Sequence, residues 1–160
     1  MIGIQEEKLI EEVFQELERL DSMVLATCSD NRVTARTVSI VVLEDTICFQ
    51  TDSTFLKYNQ ICENPNVALC MNHIQIEGVA QNLGHPFDPE NAAFMAKFKQ
   101  RHAESVEQYS DLKTEIVIQV KPTFITVWKY REGQPLREFL DLESHIATRE
   151  WYDIGAERRK

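Results

Sequence analysis

Between Val33 and Ala96 the chain carries two Lys or Arg residues, Arg36 and Lys57, although its formal net charge is −9. Lys57 lies in a run rich in hydroxyls, TDSTFLKYNQ at 51–60, in which Thr51, Ser53 and Thr54 sit where a strand period gives way to a helical one. A helix start leaves about four backbone N–H groups unpaired and carries roughly half a positive charge, so it is a natural anion site. Hydroxyls beside it can donate to phosphate oxygens. A lysine one turn in can fold its stem back toward the helix N-terminus. Taken alone, this run reads first as a plain helix cap beside a solvated lysine.

Arg36 alters that balance. On the segment Val33 to Leu43, alternation places it on one face with Thr34, Val38, Ile40 and Val42. A guanidinium beside a mostly apolar face needs a fixed anionic partner, because a buried unpaired charge is costly. Asp52 or Glu77 would serve as a structural ion pair, or the side chain would simply stand exposed near the start of the strand. A phosphate would serve Arg36 and Lys57 together.

The elements that must position these residues can be read from period and punctuation. Residues 4–20 form an amphipathic helix with Leu9, Ile10, Val13, Phe14, Leu17 and Leu20 on one stripe. Strands follow at Ser22–Ser29 and Val33–Leu43, joined by a hairpin at Asp30-Asn31, and a third at Thr46–Thr51. A helix over roughly 54–63 ends at Asn64-Pro65. Strands are expected at Val67–Met71 and at Ile74–Gln81, the second holding Gly78. Asp88 and Pro89 start a helix with Phe94 and Phe98 on one face, and a further helical piece carries Val106, Tyr109 and Leu112. Glu115–Tyr130 reads as a strand pair interrupted by Pro122, Leu136–Leu142 as the last strand, and the region from Ser144 onward as a polar tail. About six to seven short strands with flanking helices indicate an α+β fold built on a small antiparallel barrel. The chain reads as a single domain over 1–160, with helix 4–20, barrel about 22–142 and tail 144–160.

Bulk properties limit the partners. The charge argues against nucleic acid and against an anionic membrane surface, since both need clustered Lys and Arg. No apolar run is long enough to span a bilayer. The start, MIGIQEEKLIEEVF, is acidic where a secretory signal is basic. Cys28, Cys48, Cys62 and Cys70 show no C-x-x-C spacing and read as buried free thiols, so a cytoplasmic location is expected. His73, His85, His102 and His145 show no metal spacing.

The ordered set R-T-V at 36–38, Q-T at 50–51, Lys57 six positions after that threonine, N-P at 64–65 and E-G-V-A-Q at 77–81 carries a resemblance. Over roughly residues 20–82 the chain resembles the pyridoxamine 5′-phosphate oxidase-like FMN-binding split-barrel family. The resemblance implies a six-stranded split barrel that binds FMN in a cleft between the subunits of a homodimer. It implies that Arg36, Thr37 and Val38 lie along the flavin and its ribityl-phosphate arm, that Gln50 and Thr51 contact the cofactor, and that Lys57 holds the phosphate. Ser53 and Thr54 join this cofactor-binding set on the physical argument above. His73 falls where the oxidases have a glutamine near the ring.

There are departures. The oxidases have a lysine where Val41 stands, an arginine where Leu56 stands and a serine where Phe55 stands. Their C-terminal arginine-histidine substrate motif has no counterpart in PLREFLDLESHIATREWYD. Production of pyridoxal phosphate is therefore not expected. What is expected is an FMN-dependent oxidoreductase acting on a small-molecule redox substrate, with NAD(P)H as a candidate donor and no catalytic residue assigned. Trp128, Tyr130, Trp151 and Tyr152 could wall a flavin from either subunit or simply fill a core. A flavin-binding sensor or storage protein, a haem protein using His73 or His85, and a deazaflavin protein remain alternatives.

Overall fold

The amphipathic N-terminal segment forms helix α1, Glu6–Leu17, and buries Leu9, Val13, Phe14 and Leu17 against the sheet. This computed structural model describes residues 1–157. Helix α1 is shorter at both ends than the 4–20 expected, and Ile10 and Leu20 pack at the edge of the core. Ahead of it lies a two-residue strand, β1, Ile2–Gly3.

Strands β2 (Ser22–Ser29) and β3 (Arg32–Ser39) make the expected hairpin. Asp30 and Asn31 turn with φ of 47° and 59°, the left-handed conformation that a two-residue loop requires. That loop sets the register, with Thr27 opposite Thr34 and Leu25 opposite Arg36. The expected strand Val33–Leu43 is broken. Its second part is a separate strand, β4 (Val41–Leu43), paired with β5 (Thr46–Asp52), because Ile40 is buried and its N–H bonds to the carbonyl of Asp21. The chain thereby leaves one sheet edge and joins another.

Helix α2 spans Leu56–Glu63, followed by β6 (Asn66–Met71) and β7 (Ile74–Asn82). A 3-10 turn at Pro89–Asn91 leads into α3 (Ala92–Arg101) and then α4 (Ala103–Tyr109). Phe94 and Phe98 stack at 4.9 Å between centroids and cover Val41, Cys48 and Val117.

Two expectations for the last third of the chain are corrected. Glu115–Arg131 is one 17-residue strand, β8, and runs through Pro122. Proline is tolerated there because the pairing with β7 shifts register beside Gly78, at a bulge. After β9 (Gln134–Asp141), the supposed tail supplies another strand, β10 (Ile146–Trp151), and a short helix, α5 (Ile154–Glu157). β10 is held along its length by β9, with Ala147 buried and Arg149 bonded to Glu138.

The sheet order is β1-β10-β9-β8-β7-β6-β2-β3, every pairing antiparallel, and β5 also joins β8. β8 is the spine: β5 pairs with its first half, β9 with its second, and β7 along both. The result is an antiparallel α+β barrel with flanking helices, with ten strands rather than six or seven. Met23, Leu25, Phe49, Leu69, Ile76 and Ile118 fill its centre. The four thiols are free, but Cys48 alone is buried; Cys62 faces solvent on α2 and Cys70 alternates outward next to buried Leu69. Among the described residues no helix is long and apolar enough to cross a membrane.

Candidate functional site

Arg36 leans inward from β3, as the alternation requires, and is half-buried. Its Nη1 donates to the carbonyl of Leu25 at 3.2 Å and to Oγ1 of Thr27 at 2.8 Å, and its Nη2 donates to Oγ1 of Thr34. Neither Asp52 nor Glu77 pairs with it; its partners are all neutral. Three of a guanidinium's five N–H donors are thus used and the rest remain available. Burial pushes the Arg36 pKa down from its usual value.

Gln60 explains how this side chain is held. It is buried on α2, and its Oε1 accepts hydrogen bonds of 2.6 Å from both Thr27 and Thr34, while its Nε2 donates to the carbonyl of Arg32 at 2.9 Å. Helix α2 is therefore fastened to the β2–β3 hairpin by the same hydroxyls that accept from Arg36.

Lys57 lies on that helix three residues before Gln60, hence on a neighbouring position of the same face. It is the second residue of α2, which starts later than the expected 54; the N-cap is Phe55, with no side-chain cap. Lys57 Nζ donates to Oγ1 of Thr51 at 3.0 Å and lies 5.0 Å from the centre of the Phe55 ring. Burial, and then the positive charge of Arg36, lower its pKa, while the carboxylates of Glu115 and Asp52 oppose that shift. Lys57 and Arg36 thus act on one another electrostatically, and no carboxylate among the described residues lies in ion-pair contact with either.

The remaining predicted residues divide. Thr51 is buried and faces Lys57. Thr54 donates both its N–H and its hydroxyl to Asp52 Oδ1, at 2.8 and 2.7 Å, so its proton is engaged within the turn. Asp52 Oδ2 accepts from Thr114 at 2.8 Å, and these bonds, led by that from the Thr54 backbone, hold its carboxyl below the usual range. The Ser53 N–H donates to the carbonyl of Thr114 at 2.8 Å. Val38 is buried beside Arg36's row and Thr37 is exposed on the other face of β3. Gln50 points away from Thr51, as neighbours on a strand do, and accepts from Ser110 at 2.8 Å under α4. Arg36, Thr51 and Lys57 are therefore brought together; Gln50 is not brought to them.

Sequence reading missed Thr27, Thr34 and Gln60 as members of this site. A signal existed: a two-residue hairpin loop at Asp30-Asn31 pairs Thr27 with Thr34, two residues from Arg36 on the same face. Glu115, buried at the start of β8, was missed without any local signal.

The histidines are engaged elsewhere. His73 lies 2.9 Å from a carboxylate oxygen of Glu16, and both ring nitrogens of His85 are hydrogen-bonded, to the carbonyl of Leu112 and the N–H of Phe87. Among the described residues no three His, Cys, Asp or Glu side chains are grouped to hold a metal.

Known proteins add to this geometry. The family model for pyridoxamine 5′-phosphate oxidase matches residues 9–129. The structure of General Stress Protein 26 from Bacillus anthracis str. Sterne is 20% identical, covers 84% of this chain and 98% of its own, and superposes with a TM-score of 0.64. A pyridoxamine 5′-phosphate oxidase-related, FMN binding protein from Nostoc punctiforme PCC 73102 is 13% identical over 96% of this chain and 99% of its own, with a TM-score of 0.60. A heme binding protein from Mycobacterium smegmatis is 16% identical over 85% of this chain and 59% of its own, with a TM-score of 0.67. At these identities the likenesses speak for a shared fold. No curated protein matches the chain.

Proposed function

The chain belongs to the pyridoxamine 5′-phosphate oxidase family, and from that premise we propose that it binds FMN and serves as an FMN-dependent oxidoreductase. The observation that carries this reading is the convergence of Arg36 and Lys57, two half-buried cations with neutral hydrogen-bond partners and mutual repulsion. Such a pair is stabilised by a bound dianion, and charge-assisted hydrogen bonds to phosphate are the strong ones. The donor set therefore fits the cofactor's phosphate arm.

In this reading Arg36 and Lys57 hold the phosphate beside the start of α2, with Thr51 fixing the lysine and Gln60 fixing the helix. Thr37, Val38, Ser53 and Thr54 border the remainder of the cofactor, and Gln50 anchors α4 from the far side of β5. FMN, when bound, supplies redox chemistry that no side chain here has. The chain's part is to hold the cofactor, exclude water and orient a small-molecule redox substrate. NAD(P)H is the proposed electron donor. A homodimer is the proposed assembly, supported by the small residues Val24, Ala26, Cys28, Val33 and Ala35 on the outward face of β2–β3, of which Val33 is 69% exposed.

Pyridoxamine phosphate is not the proposed substrate. Where the oxidases carry a lysine, Val41 is buried beneath Phe94 and Phe98, so that position faces the interior. The test is to purify the chain, release any chromophore by denaturation and identify it by mass, then follow reduction by NADH or NADPH and reoxidation. Recovery of FMN with steady flux is the expected outcome; failure of the protein to retain or rebind FMN would sink the proposal.

A further inference from the structure

Glu115 opens β8 directly across from Asp52, the last residue of β5, and is 4% exposed. The two carboxylates are served differently. Asp52 accepts three hydrogen bonds, two from Thr54 and one from Thr114, whereas among the described residues no side-chain hydrogen bond or ion pair reaches the Glu115 carboxylate. A buried carboxylate without donors favours its neutral form.

The charged and titratable groups facing Glu115 come from three other elements: Asp52 on β5, Lys57 on α2, and His85 on the loop ahead of α3. Lys57 in turn feels Arg36 on β3. His85 Nε2 bonds to the carbonyl of Leu112 and its Nδ1 accepts from the N–H of Phe87. Burial first, and then the charge of Asp52, push the Glu115 carboxyl up to about 7, while Lys57 and His85 pull the other way. Lys57 is therefore the one cation shared between the anion cradle and this carboxylate.

A dianion seated on Lys57 cancels the charge that favours ionised Glu115 and adds negative charge nearby. We infer that Glu115 is the proton-holding member of the anion site, taking up a proton when a phosphate dianion occupies Arg36 and Lys57. The inference rests on the reading of these two cations as an anion cradle. The sign follows from linkage. Well below pH 7, Glu115 is already neutral and affinity is level; as pH rises past that value, binding must draw a proton from solvent and affinity falls, by up to about tenfold per unit for one proton.

A phosphomonoester's own second ionisation, near pH 6, acts in the opposite direction. Sulfate, a dianion throughout this range, is therefore the clean probe. Calorimetric titrations of the full chain with sulfate and with FMN, at about pH 7.5 in two buffers of different ionisation heat, count the protons taken up. The expected result is uptake of roughly half a proton or more per site in the native chain, with no uptake and no pH dependence of sulfate affinity in Glu115→Gln. Binding of sulfate or FMN to the native chain without proton uptake overturns the inference, and needs no variant. Equal uptake in Glu115→Gln overturns it as well. Sulfate binding with uptake but no FMN binding removes the cofactor reading and leaves the proton-holding role standing; if neither anion binds, both fall.

Discussion

Gln60 and Arg36 hold the same two hydroxyls: Thr27 and Thr34 each donate to Gln60 Oε1 at 2.6 Å and each accepts from the Arg36 guanidinium. A hydroxyl that donates and accepts at once is polarised in both bonds. The position of Arg36 and the seating of α2, which carries Lys57, are therefore a single arrangement.

Gln60→Leu keeps the volume and removes the shared acceptor. Two hydroxyls and the carbonyl of Arg32 lose their partner at a buried position, so a loss of about 1–3 kcal/mol in stability is expected. FMN affinity should fall as well, although Gln60 reaches no ligand in the proposed site. Urea unfolding and FMN titration check this; native stability together with native affinity would refute it.

Arg36→Ala and Lys57→Ala should each weaken FMN binding by about 1.5–3 kcal/mol, and high salt should blunt the difference. Removing one cation also relieves repulsion on the other, so the double variant should lose less than the two single losses together. Equilibrium titration of apo-protein measures both. Unchanged affinity in the double variant ends the assignment.

Glu138 should set the acid limit of the fold. It is 1% exposed on β9 and bonded to Lys129 at 2.5 Å and to Arg149 Nε at 2.9 Å. Burial raises its pKa, but those hydrogen bonds and charges outweigh burial and leave it lowered. A carboxylate with a depressed pKa stabilises the fold above its unfolded value, near 4.3, and that stability is lost as pH falls through the folded value. Glu138→Gln should lose stability at neutral pH and show a smaller further loss in acid. Thermal unfolding between about pH 3 and 6 is the measurement, and identical acid profiles would refute it.

Glu115 should do the opposite. With its carboxyl raised to about 7, its contribution is complete below the unfolded value and is lost as pH climbs toward and through the folded one. The ligand-free chain should lose about 3–4 kcal/mol over that interval, and Glu115→Gln should remove this slope. Chemical denaturation across about pH 4.5–8 tests it; a slope that persists in the variant would show another group to be responsible.

Gly78→Ala should strain the barrel at its bulge. A Cβ there would lie 2.7 Å from Val120 Cγ1 and 2.8 Å from the carbonyl oxygen of Lys121, and the backbone oxygen cannot yield without moving β8. Overpacking of this kind costs about 1–3 kcal/mol. Native stability on denaturation would show that the strand can shift freely.

The sequence alone determined what depends on near neighbours. Alternation on β3 put Arg36 inward, the Asp30-Asn31 turn defined the hairpin, and the TDSTFLK run located the strand-to-helix junction, all within a few residues of chain. Folding decided what depends on which strands meet. An apolar β-branched run looks alike whether it stays on one sheet edge or crosses at Ile40, and Pro122 reads as a break until Gly78 opposite it admits a bulge. β10 was invisible because Arg149 belongs in a half-buried strand only once Glu138 on β9 receives it. The same holds for the site. Residue types marked two cations, but their mutual repulsion, the hydroxyl bridge to Gln60 and the unserved carboxylate of Glu115 exist only after β5 pairs with β8 and α2 packs on β2. Periodicity records which way a side chain faces, whereas charge and burial are set by groups that only chain folding brings within reach.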